Sequence, residues 1–67
     1  MLTKRSFSLS GHRTSVALED EFWDALAALA HSRTASLAAL VAEIDTARPA
    51  ERPLASALRV YALLHRG

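Results

Sequence analysis

The stretch RTSVAL at residues 13–18 alternates polar and apolar side chains, with β-branched residues at positions 14 and 16. Such alternation is typical of a strand with one buried face. The acidic run EDE at 19–21 follows directly, and then the helical run FWDAL begins. A single strand ahead of helices leaves its backbone N–H and C=O groups without partners. The sequence therefore predicts that this strand pairs with its own copy in a second chain.

A ribbon of two such strands carries Arg13 and Ser15 outward on both strands, and its shape fits the major groove of duplex DNA. The charge pattern agrees, because residues 1–18 contain Lys4, Arg5 and Arg13 and no acid. Four of the seven acids lie at 19–24, where they complement a helix dipole. The basic start is either a nucleic-acid-binding arm or a solvated tail.

The chain has 67 residues, which suffices for one small domain with a marginal core. It has no cysteine, so disulfides and thiolate metal sites are excluded, and its three histidines share no ligand spacing. Oligomerisation is the remaining source of stability. No spacing places a nucleophile beside a base, and there is no glycine-rich phosphate loop. We therefore expect no enzyme activity, no metal and no cofactor.

The longest unbroken apolar runs, at 25–30 and 37–42, have six residues each. A bilayer-spanning helix needs about 20. The basic residues near the start precede a hydroxyl-rich stretch rather than an apolar one, which argues against a signal peptide. We expect a cytoplasmic protein without a membrane partner.

The first residues also alternate, but with the opposite phase. Apolar side chains fall on odd positions in residues 4–9 and on even positions in 14–18, so the phase changes near Gly11. A bulge at this glycine within one long strand explains the change. A two-residue turn in a hairpin that pairs Leu9 with His12 explains it equally. The third arrangement is a flexible arm ahead of a strand that begins near His12.

Three helices are predicted, the first from residue 19 or 20 to 31. The second has Ser36 as its N-cap, with Thr34 as a competitor, and ends at 45 or 46. The third begins in the first turn with Pro53 and ends near 65. Their apolar stripes are Phe22, Leu26 and Leu29, then Leu37, Leu40, Val41 and Ile44, then Leu54, Leu58, Tyr61 and Leu64. Trp23 has alanine and leucine neighbours, so we expect it partly buried at a dimer interface rather than stacked on a ligand.

This order of a basic alternating strand, an acidic helix start, an apolar stripe and a hydroxyl-capped second helix resembles the ribbon-helix-helix family of DNA-binding proteins. The residues that carry the resemblance, within about 12–46, are RTSVALEDEFWDALAALA followed by SLAALVAEID. GHRTSVALEDEFWDAL with the later LASALRVYALL is similar to short bacterial members with an added C-terminal helix.

The resemblance implies a mainly α fold with one short strand in each chain. It further implies an intertwined homodimer around a two-stranded antiparallel ribbon, plus a third helix. Residues 1–11 form an N-terminal arm or extra strand in this scheme. Residues 12–46 form the ribbon-helix-helix core, and residues 47–67 form a linker and the C-terminal helix.

The resemblance also implies site residues. Arg13, Ser15 and Ala17 take the three positions that read bases, although alanine offers only a methyl group to thymine. The expected phosphate contacts are Lys4, Arg5, His12, Arg33, Thr34, Ser36 and Leu37, the last two at the N-terminus of the second helix. The expected dimer core is Thr14, Val16, Leu18, Phe22, Trp23, Leu26, Leu40, Val41 and Ile44. Family members often have a glycine between these helices, and here residues 31–35 contain none.

Two functions follow as hypotheses. The first is a homodimeric regulator that binds double-stranded DNA in the cytoplasm, at the nucleoid, with association beyond the dimer left open. The second is a dimer of the same fold that acts as a protein-interaction module. In that case the C-terminal helix docks a partner through Leu58, Tyr61 and Leu64. The structural alternative for these three side chains is that they cap the small core.

Overall fold

The computed structural model describes residues 1–66, and Gly67, the end of the predicted C-terminal segment, lies outside the described residues. The elements are β1 Leu2–Leu9, β2 His12–Glu19, α1 Asp20–Ser32, α2 Leu37–Ala47 and α3 Leu54–His65. The three predicted helices are confirmed. The expectation of one short strand was wrong, because the residues ahead of Gly11 form a second strand.

The two strands form an antiparallel hairpin closed by the turn Ser10-Gly11, with facing pairs from Leu9–His12 at the turn to Leu2–Glu19 at the open end. Ser10 and Gly11 have φ angles of 51° and 80°. Positive φ at both central residues is what a type I′ turn requires, and glycine adopts it without steric cost. The hairpin also explains the phase change. An odd position in β1 faces an even position in β2, so both sets of apolar side chains share one face.

The inner face of the hairpin packs on the helices. Its buried side chains are Phe7, Leu9, Val16 and Leu18, which join Trp23, Leu26, Ala30, Leu40, Val41, Ile44, Leu54, Ala57, Leu58 and Ala62 in one core. Of the nine residues expected in a dimer core, only Thr14 and Phe22 are partly exposed within the single chain. The other seven are therefore buried without a second copy, and a role for them between chains stays a prediction.

The third helix completes this core. Leu54 and Leu58 are buried as predicted, together with Ala57 and Ala62, whereas Leu64 is 71% exposed. The interpretation in which Leu64 caps the core was wrong, because the buried stripe follows the i, i+4 positions 54, 58 and 62, and the alternative, a docking surface, stays a prediction. The small alanines allow close approach there.

In residues 1–66, no single helix is long and apolar enough to cross a membrane. Taken together, α1 and α2 are long and apolar enough by length and composition, but the chain bends by 99° at the break between them.

Shortening a buried and an exposed leucine side chain of α3 should give very different losses of stability. We expect Leu58→Ala to lower the free energy of unfolding by about 2–5 kcal/mol, because it removes a fully buried side chain. The matched change Leu64→Ala on the same helix should cost less than about 0.5 kcal/mol. Urea denaturation measures both, and equal losses would contradict the packing of α3 described here.

Candidate nucleic-acid interface

The hairpin presents a polar face away from the helices. This outer face consists of the β1 residues Lys4, Ser6 and Ser8 and the β2 residues Arg13, Ser15 and Ala17. The register places Lys4 opposite Ala17, Ser6 opposite Ser15, and Ser8 opposite Arg13. All are exposed except Ala17, which is half-buried. Across these three pairs the outer face carries two cations and three hydroxyls, and the next pair, Leu2–Glu19, places one carboxylate on the same side at the open end of the hairpin.

Cross-strand hydrogen bonds orient the polar groups of the outer face. The hydroxyls of Ser6 and Ser15 are 2.9 Å apart, and Arg13 Nη1 donates to Ser8 Oγ over 3.3 Å. These bonds are exposed to water, where a net hydrogen bond contributes only about 1 kcal/mol. The same groups can therefore exchange partners with a ligand at low cost.

The three residues predicted to read bases, Arg13, Ser15 and Ala17, lie together on the outer face. Sequence reasoning missed Ser6 and Ser8 and assigned Lys4 to phosphate. The signal that identifies them is the opposite phase of residues 4–9, once the turn at Gly11 is recognised as a hairpin.

Trp23 on α1 holds β1 against the helices. Its Nε1 donates to the backbone oxygen of Thr3 over 2.8 Å, and its ring lies 5.8 Å from that of Phe7. The guanidinium of Arg5, a predicted phosphate contact, lies 5.4 Å over the indole. Trp23 is only 2% exposed, so the expectation of partial burial was wrong. The indole lies in the chain's own core because β1 covers it.

Acidic groups at the open end of the hairpin are paired. The pKa of Glu19 is lowered, first by a hydrogen bond from its own backbone N–H and then by Arg59. Arg59 Nε and Nη2 both lie 3.1 Å from Glu19 Oε1. Thr3 donates its hydroxyl proton to Asp20. The acids next to the basic outer face therefore have partners within the chain.

The turn between α1 and α2 holds the second group of predicted phosphate contacts. Thr34 has a φ of 56°. The N–H groups of Thr34 and Ala35 donate to the oxygens of His31 and Ala30, as in a Schellman motif. Thr34 thus occupies the left-handed position that glycine ordinarily takes, at a cost of about 1–3 kcal/mol. In this chain Thr34 therefore fills the inter-helix position where family members often have a glycine.

The start of α2 is capped as predicted, because Ser36 Oγ accepts from the N–H of Ala39 over 3.0 Å. The N–H groups of Leu37 and Ala38 precede the helical hydrogen-bond ladder, which makes this end suitable for an anion.

Arg33 is already engaged. Its Nη2 lies 3.0 Å from Glu43 Oε1, and its Nη1 donates to the hydroxyl of Tyr61. Glu43 is the main reason why the pKa of Arg33 is raised. Both partners of this ion pair are exposed, and water screens such pairs, so a phosphate can compete for the guanidinium.

The predicted phosphate contacts therefore fall into separate places. Lys4 lies on the outer face, Arg5 over Trp23, and His12, which is exposed, at the hairpin turn. Arg33, Thr34, Ser36 and Leu37 gather at the turn between α1 and α2.

Comparison with known families identifies the class. A family model described as a ribbon-helix-helix domain matches residues 2–66, which include β1 and α3 as well as the expected core. The chain therefore belongs to the ribbon-helix-helix family. Domains of this family are generally DNA-binding transcription regulators with a non-enzymatic fold, and they typically form dimers. No curated protein and no solved structure matches the chain.

Replacing the indole should loosen β1. We expect Trp23→Phe to lower the free energy of unfolding by about 1–3 kcal/mol, because the partly buried oxygen of Thr3 loses its donor. Hydrogen exchange of the β1 amides should accelerate more than that of the α2 amides. Tyr61→Phe, which removes a hydroxyl outside the hairpin, is the control. If both variants changed β1 exchange equally, Trp23 would not be the anchor.

Proposed function

We propose that this protein is a homodimeric, DNA-binding transcription regulator whose β2 residues enter the major groove. The observation that carries the proposal is the outer face, which is basic and rich in hydroxyls, and whose flanking acid, Glu19, is paired with Arg59. The groove is about 12 Å wide and admits a two-stranded ribbon, whose strands lie about 5 Å apart. The buried inner face supports the ribbon, so its outward side chains are presented on a fixed backbone.

The proposed contacts differ in what they read. Arg13 donates two hydrogen bonds to a guanine, Ser15 bonds a neighbouring base, and Ala17 offers its methyl group to thymine. These contacts supply specificity, because only base edges carry sequence information.

Phosphate contacts fix the orientation on the duplex. We assign them to the exposed His12, to Arg5, and to the turn between α1 and α2. In that turn, Arg33, Thr34 and Ser36 lie beside the free N–H of Leu37. Arg33 exchanges Glu43 for phosphate on binding.

Two observations support dimerisation. Members of the family typically form dimers, and a small core gains stability when a second subunit covers it. The need of a lone strand for a partner no longer supports it, because β1 pairs with β2. We place the dimer in the bacterial cytoplasm, at the nucleoid.

A titration against mixed-sequence duplex DNA, in parallel with a solution mass, tests this function. We expect a dimer that binds DNA at low salt. If each subunit neutralises about three to four phosphates, the logarithm of affinity should fall against the logarithm of salt with a slope of about −5 to −7 for the dimer. Absence of binding even at low salt would refute DNA binding. A monomeric mass would refute the dimer alone, since each chain has a complete hairpin.

Arg13 should contribute more to sequence-specific DNA binding than any cation outside the outer face. We expect Arg13→Ala to weaken binding to a preferred sequence by about 1–3 kcal/mol and to relax the preference at one base pair. Arg66→Ala, which removes a charge after α3, should change only the non-specific affinity. Fluorescence anisotropy with matched and mismatched duplexes measures both, and unchanged preference in Arg13→Ala would refute readout by β2.

One observation favours a second candidate function, a protein-interaction module. Leu63 and Leu64 on α3 are 58% and 71% exposed. Adjacent exposed leucines suit a partner that covers the end of this helix. A chain that binds no DNA at low salt but loses a partner on substitution of these leucines would support this function instead.

A further inference from the structure

We infer that β1 is itself a base-reading strand, so that one chain supplies both strands of the ribbon in the groove. Lys4, Ser6 and Ser8 would contact base edges alongside the β2 residues. This inference rests on the proposed DNA binding, and it extends that function to three residues that the β2 pattern leaves out.

The facing pairs of the outer face complement one another. At the pair Lys4–Ala17, the residue of β2 offers only a methyl group, and β1 provides an ammonium directly opposite. Lysine bonds guanine O6 and N7 in the major groove. The pair Ser6–Ser15 offers two hydroxyls 2.9 Å apart, each able to donate and to accept. The pair Ser8–Arg13 offers a hydroxyl beside a guanidinium. Each of the three pairs therefore carries a hydrogen-bonding group.

The spacing of the pairs suits stacked bases. Outward residues on one strand are two positions apart, which corresponds to about 6.7 Å. Base pairs follow one another at about 3.4 Å, so neighbouring facing pairs are about two base-pair steps apart. The three pairs span about 13 Å along the ribbon. One hairpin is thus long enough to read about five base pairs.

The position of β1 on the helices favours contact between its outward residues and the bases. Trp23 Nε1 binds the oxygen of Thr3, and Phe7 and Leu9 are buried beneath the strand. The alternate residues Lys4, Ser6 and Ser8 must therefore point away from the helices, on the same face as Arg13 and Ser15. A sheet of four strands is about 14 Å across between its outer strands, so only two adjacent strands fit the groove. The hairpin already provides two.

Selection from randomised duplexes tests the inference with the full chain. Wild type should select a short motif. Ser6→Ala and Ser8→Ala should each lose preference at one position, with about 2- to 13-fold weaker binding to the selected sequence and a smaller loss on unselected DNA. Lys4→Ala should lose a guanine preference, with about 5- to 150-fold weaker binding. Ser6→Thr, which keeps the hydroxyl, should restore the motif.

Ser32→Ala is the matched control, since it removes an exposed hydroxyl at the end of α1. All substituted side chains on β1 are exposed, and circular dichroism checks that the variants remain folded. If the three β1 variants kept the wild-type motif while Arg13→Ala lost it, β1 would lie outside the groove and the inference would fall. The proposed function would then stand.

Equal weakening on every sequence would place β1 over the phosphates, as when a second copy pairs along the free edge of β2. That result also overturns the inference and leaves DNA binding intact. A wild-type chain that selects no sequence would overturn sequence-specific readout by both strands.

Discussion

Burial of the Trp23 indole beneath β1 is the contact on which the arrangement of the chain depends. The indole N–H satisfies the backbone oxygen of Thr3, and its ring packs beside Phe7. With β1 held in place, β2 has a partner within its own chain, and the apolar residues of both strands turn toward the helices. The polar residues between them are left on the opposite side. The outer face is therefore a direct result of burying the inner one.

The helices and the faces of β2 were predictable, because the periods of the buried residues differ between helices and strands. The Ser36 cap was readable from a hydroxyl ahead of an apolar run. Which strand pairs with β2 was not readable, since backbone hydrogen bonds are the same for every sequence. Alternation at 4–9 allowed a bulge, a hairpin or an arm. Only the conformation of Ser10 and Gly11 decides among them.

The errors at Trp23 and Leu64 have one origin. A large apolar side chain on a helix has the same spacing whether it faces a core, a second subunit or water. For Trp23, the deciding factor was the unforeseen cover provided by β1. For Leu64, it was the presence of Ala57 and Ala62, which let α3 approach the core by its smaller residues. In the candidate site, β2 was identified from its own alternation, whereas the contribution of β1 depended on long-range pairing.

The closed hairpin also changes how folding depends on the amount of protein. The stability of an intertwined dimer whose strands pair only between chains depends on protein concentration, rising with its logarithm. Here the strand pairing is local and the core closes within 66 described residues. Strand pairing can therefore form within one chain, and most contacts are short-range, which favours rapid folding. The hairpin would then not depend on a second copy for its strand pairing, and a second subunit would contribute chiefly by covering more of a small core.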